Sequence, residues 1–100
     1  MSIKRFATKR DANEPLIIEY LERRGFSVHP MDQPLDLLVG RNQKTYLVEV
    51  KTEKGKLTKT QKDFLKLWRG QFAIVRDLEQ AKIFCDEIIL KKQPALGKMK

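Results

Sequence analysis

Two short apolar runs facing each other across a polar turn constrain this chain more than any other stretch. Leu37 to Val39 and Tyr46 to Val50 are β-prone and short enough for strands, and Arg41 to Lys44 between them is polar. The pattern predicts a β-hairpin. With those four residues as the loop, Gly40 faces Thr45, Leu38 faces Leu47 and Asp36 faces Glu49. A period of two places both carboxylates on one sheet face, with Lys51 beside Glu49. Like charges directly opposed in a sheet destabilise it, so this arrangement asks for a cation between them.

The remaining elements follow from local signals. Helical signals run from Asp11 to Arg24: Asp11 and Glu14 have capping-box spacing, Pro15 suits only a first turn, and Gly25 follows the end. Leu16, Ile17, Tyr20 and Leu21 form its apolar stripe. Glu14 precedes Ile17, Ile18 and Leu21 by three, four and seven residues, which puts a carboxylate on the apolar face. A cap stabilised by the helix dipole is the simpler account of that residue. Phe26 to Met31 reads as a short strand limited by Pro30.

Beyond the hairpin, Thr52 to Lys59 is a polar loop carrying Lys54, Lys56 and Lys59. It is a place for a phosphate backbone to approach, or simply a solvated loop. Thr58 or Thr60 can cap a second helix that runs to about Arg69 and stops at Gly70. Phe64, Leu65 and Trp68 make its apolar face, with Gln61 at the start of that stripe. Phe72 to Arg76 is a nearly continuous apolar run, as expected of a strand covered on both faces. Asp77 caps a third helical segment in which Leu78, Ala81, Cys85 and Ile88 or Ile89 recur, with a break expected near Asp86. The order helix, strand, strand, strand, helix, strand, helix is that of an α/β fold with a mixed sheet of about four strands. Residues 1–10 read as a basic arm and 91–100 as a frayed tail.

A chain of 100 residues predicts a single domain with one modest core, for which a second copy would be a stabilising partner. Its net charge of +8 points first to a polyanion such as nucleic acid, the alternative being a surface that is basic for solubility. No run approaches the roughly 20 apolar residues of a membrane span, so a cytoplasmic protein with no membrane partner is expected. One cysteine, Cys85, excludes an intrachain disulfide and a thiolate metal cluster. One histidine, His29, excludes any two-histidine zinc motif.

Asp36 and Glu49 are the donors that a hard divalent cation such as magnesium prefers: such an ion takes one or two carboxylates, keeps several waters and accepts substrate phosphate. A cation so held can activate water and stabilise charge on a phosphoryl oxygen, with Lys51 as a positive group for the phosphate or for orienting the attacking water. An ion-pair network of Asp36 and Glu49 with Lys51 is the structural alternative.

The ordered set Asn13-Glu14, Gly25-Phe26, Pro34-x-Asp36, Glu49-Val50-Lys51-Thr52, Leu57-Thr-x-x-Gln61, Gly70 and Val75 resembles the virus-type replication and repair nucleases, the VRR-Nuc family of the PD-(D/E)xK superfamily, and its small stand-alone phage members in particular. The resemblance spans most of the chain, although Leu35 separates the family's usual Pro-Asp pair. It implies a restriction-endonuclease-like core and a magnesium- or manganese-dependent endonuclease. Asp36, Glu49 and the Val50 backbone carbonyl would be metal ligands, Lys51 the catalytic lysine, Glu14 an outer-shell or second-metal carboxylate, and Gln61 an organiser of the site. It further implies a homodimer acting on branched DNA, as a four-way (Holliday) junction resolvase. A non-catalytic, basic nucleic-acid-binding module is the alternative.

Overall fold

The computed structural model describes residues 12–90. The expected basic arm, tail and Asp11 cap lie outside them. The element order is α1 (Glu14–Arg23), β1 (Ser27–Pro30), β2 (Leu37–Arg41), β3 (Lys44–Val50), α2 (Lys59–Leu67), β4 (Gln71–Val75) and α3 (Leu78–Leu90). This is the α/β order read from the sequence, with a four-stranded mixed sheet in the order β1-β2-β3-β4. β1 to β3 form an antiparallel meander, and β4 returns parallel to β3 after α2.

The hairpin has the expected register, with Leu38 opposite Leu47 and Gly40 opposite Thr45. Its loop is tighter than four residues. Arg41 pairs with Lys44, and Asn42 and Gln43 turn the chain with φ of 52° and 65°. Positive φ at both central residues is the type I′ geometry whose twist matches that of paired strands. At the other end the ladder stops at Leu37 opposite Val48, so Asp36 lies just past the pairing instead of squarely opposite Glu49.

Alternation along these strands separates two sheet faces. Leu37, Val39, Tyr46, Val48, Val50 and Val75 are buried with Ile17 and Leu21 of α1 and Ala81 and Cys85 of α3. Phe84 of α3 joins the layers, its ring meeting Phe26 at 5.8 Å and Tyr46 edge-on at 5.6 Å. Leu16, expected in the α1 stripe, is instead 57% exposed.

Helix ends explain where the elements stop. α1 begins at Glu14 after Asn13, whose side chain makes no cap bond and is engaged with the Arg76 carbonyl instead. Its C-terminus is a Schellman motif: Phe26 N–H donates to Leu21 O and Gly25 N–H to Glu22 O, with Gly25 at φ 91°. α3 is continuous through Asp86, where no break occurs, and its first turn is capped by Asp77 Oδ1 accepting from Gln80 N–H at 2.8 Å.

The other face is thinly covered. α2 has a full capping box between Thr58 and Gln61, yet none of its residues is buried. β4 is an edge strand by its place in the sheet, and it is not covered on both faces, with Phe72 44% exposed. Its continuous apolar run reflects a place beside β3 more than enclosure.

Candidate functional site

The carboxyl ends of β3 and β4 gather the polar residues singled out above. Glu49 belongs to the thinly covered face, yet it is only 2% exposed. Its Oε2 accepts from Gln61 Nε2 at 2.8 Å and lies 3.1 Å from Lys51 Nζ. Its Oε1 is buried with no hydrogen-bond partner. A buried acceptor left in that state is costly, more so on an ionised group.

Gln61 thus has two roles at once. Its Oε1 accepts from Thr58 N–H at 3.0 Å and closes the α2 capping box, while its amide nitrogen reaches across to β3. The capping box orients the side chain, so the early-turn reading and the site reading of Gln61 describe the same geometry.

Asp36 approaches from the entry to β2. Its Oδ2 accepts from Val50 N–H at 2.8 Å, which holds the carboxylate at the residue between Glu49 and Lys51. The Asp36 carbonyl also closes the preceding turn by accepting from Met31 N–H at 2.7 Å. The interaction seen at Val50 involves its N–H, whereas the resemblance assigns its carbonyl.

Glu14 is 4% exposed at the first position of α1. Its neighbour Asn13 explains how the helix arrives there: Asn13 Nδ2 donates to Arg76 O at 2.8 Å and more weakly to Lys51 O at 3.5 Å. These bonds fasten the amino end of α1 to the ends of β3 and β4. Asn13 Oδ1 is a second buried acceptor without a hydrogen-bond partner.

Arg76 is the organiser that sequence reasoning missed. Its Nη1 donates to Thr52 O at 2.9 Å and to Gly55 O at 2.6 Å, and its backbone N–H donates to Gln80 Oε1. The lysine-bearing loop is thereby tied to the end of β4. Gly55 comes so close that a Cβ there would meet Lys51 Cδ at 3.3 Å and the Thr52 backbone nitrogen at 3.4 Å. The loop therefore packs against the stem of Lys51. An arginine after an apolar strand was the only local signal, and it specifies no partner.

Glu14, Asp36, Glu49, Lys51 and Gln61 are all carried to this end of the fold by the contacts just described. Among the described residues, no group of three or more His, Cys, Asp or Glu side chains is gathered as a metal cluster. The candidate donors are instead Glu49 of β3 and Asp36 just before β2, and the orphaned Glu49 Oε1 is an oxygen that a hard cation would satisfy. No family model, curated protein or solved structure matches the chain. No helix among the described residues is long and apolar enough to cross a membrane.

Proposed function

We propose that this protein is a divalent-metal-dependent endonuclease that hydrolyses phosphodiester bonds in DNA. The observation that carries the reading is Glu49: a carboxylate 2% exposed, one oxygen held by Gln61 and Lys51, the other buried without a partner, with Asp36 fixed beside it at Val50. Asp36 and Glu49 would hold the ion, with the Val50 carbonyl and Glu14 as further oxygens. Magnesium or manganese bound there supplies a Lewis acid that activates water and offsets charge on the phosphoryl group.

The chain's own residues have separable tasks in this reading. Gln61 holds one Glu49 oxygen and thereby turns the carboxylate, while the Val50 N–H orients Asp36. Lys51 offers its ammonium to a scissile phosphate oxygen, its stem steadied by Gly55. The net charge of +8 favours a polyanionic substrate. Two copies acting together on a four-way junction in the cytoplasm, within the VRR-Nuc family that the ordered motifs resemble, complete the proposal.

Incubation of a labelled four-way junction and its linear arms with the protein, with and without magnesium, tests it. Expected is magnesium-dependent cleavage of the junction, lost in Asp36→Ala and Glu49→Ala. Absence of metal-dependent cleavage of any DNA form, or full activity in both variants, overturns it. The 3.1 Å Lys51–Glu49 pair favours one competing reading, a non-catalytic nucleic-acid-binding domain in which these residues form only an ion-pair network. That reading predicts salt-sensitive DNA binding indifferent to metal and to both substitutions.

A further inference from the structure

α2 is an unusual helix for so small a protein. None of its nine residues is buried, although it carries Phe64, Leu65 and Leu67. A helix with no buried side chain contributes little to the core, so its placement calls for another explanation. Its polar attachment to the sheet is Gln61 Nε2 on Glu49 Oε2, at 2.8 Å.

The charges on α2 are sorted by face. At about 100° per residue, Lys59, Lys62 and Lys66 fall within an arc of roughly 60°, well away from the Gln61, Phe64 and Leu65 side that is turned toward the sheet. All three lysines are exposed. Lys59 pairs with Asp63 at 2.9 Å, whereas Lys62 and Lys66 form no ion pair with any described residue. Lys56 in the preceding loop and Arg69 after the helix extend the same positive segment, and both are exposed. Like charges one turn apart destabilise a helix, so this face opposes folding unless something anionic lies against it.

We propose that the Lys59–Lys62–Lys66 face of α2 is a docking ridge for the phosphate backbone of DNA. Seven residues of helix span about 10 Å, which matches about three phosphate steps along one strand at ~3.4 Å of axis each. Gln61 lies next to Lys62 in sequence and faces the other way, onto Glu49. One short helix thus carries the backbone-binding charges on its outside and steadies the buried carboxylate from its inside. The choice of DNA as the polyanion rests on the nuclease reading above; the ridge itself rests on charge and exposure.

Fluorescence anisotropy of a labelled duplex and a labelled junction, in chelator and across a series of salt concentrations, tests the ridge apart from catalysis. Each neutralised phosphate contributes about 0.9 to the slope of log affinity against log salt. Lys62→Gln/Lys66→Gln is therefore expected to lower that slope by about 2 and to weaken binding at least tenfold at 0.1 M salt. The charge-matched comparison is the single variant Lys62→Gln, expected to lower the slope by about 1, against Lys82→Gln on α3, which removes one charge from a lysine already paired with Asp86 and is expected to change binding less than twofold. If the wild type binds but never cleaves and the double variant loses binding, the nuclease reading fails and the ridge stands. A double variant that binds and cleaves with the wild-type slope overturns the ridge alone. Equal losses in Lys62→Gln and Lys82→Gln overturn it too, since net charge would then suffice. No binding by the wild type at any salt overturns both.

Discussion

The two faces of the sheet are built to different standards. On one, α1 and α3 enclose Ile17, Leu21, Leu37, Val39, Val48, Ala81 and Cys85 at zero exposure. On the other, no residue of α2 is buried and Leu38 and Phe72 stay 38% and 44% exposed, although Leu47 between them is only 6% exposed. Yet this second face holds the buried Glu49 and its bonds to Gln61 and Lys51. Most of the apolar enclosure lies on the first face and the polar chemistry on the second, and a face with less core to build can accommodate a carboxylate with an unsatisfied oxygen. The cost of that oxygen is borne by the packing on the other side.

The strongest way to break this comparison is to truncate one residue on each face. Leu37→Ala, at a site of zero exposure, is expected to cost about 2–5 kcal/mol in urea unfolding. Leu65→Ala on α2, where the side chain is only partly buried, is expected to cost less than Leu37→Ala, since less apolar area leaves water there on folding. Equal costs would mean that α2 belongs to the core after all.

Next in size is the response to metal. If the Glu49 oxygen awaits a cation, magnesium at a hundred times its dissociation constant should add about 2.7 kcal/mol to wild-type stability. Glu49→Gln should abolish that increment, as read by thermal unfolding with and without chelator. Equal stabilisation of the variant would place the binding elsewhere.

The smallest effect sharpens the contrast from the core side. Asp86 joins α1 to α3 by accepting from Arg24 at 2.8 Å and from Lys82 at 2.7 Å, and these two bonds hold its carboxyl below the usual aspartate value. A depressed carboxyl stabilises the fold fully above its unfolded value of about 3.9, and that contribution fades as pH falls through the lower folded value. Wild type should therefore exceed Asp86→Asn in stability at neutral pH, and the gap should narrow below about pH 4. A gap constant with pH would show that the Arg24 and Lys82 bonds do not favour the charged form.

Much of the fold was legible because its signals are local. The hairpin register followed from strand alternation and turn position, and Thr58, Gly25, Asp77 and Gly70 marked helix ends correctly or within a few residues. The misreadings share a cause. Helical signals from Asp11 onward did not single out Asn13, which is drawn to Arg76, 63 residues away, and after which α1 starts. Phe72 to Arg76 looked enclosed because an apolar run says nothing about whether a neighbouring helix packs down on it. The α2 stripe does turn toward the sheet, but Phe64 and Leu65 are only partly buried there.

The sequence by itself determined which segments become helix or strand and that Asp36, Glu49 and Lys51 come from neighbouring strand positions, because alternation and caps act over a few residues. Only the tertiary structure decided what those side chains meet. Gln61 reaches Glu49 across 12 residues, Asp36 reaches the Val50 amide across 14, and Arg76 reaches Gly55 across 21. Such bonds form where packing brings distant backbone together, and no periodicity in the chain records them. The same holds for the orphaned Glu49 oxygen, which exists as a buried acceptor only after the sheet and α2 have closed around it.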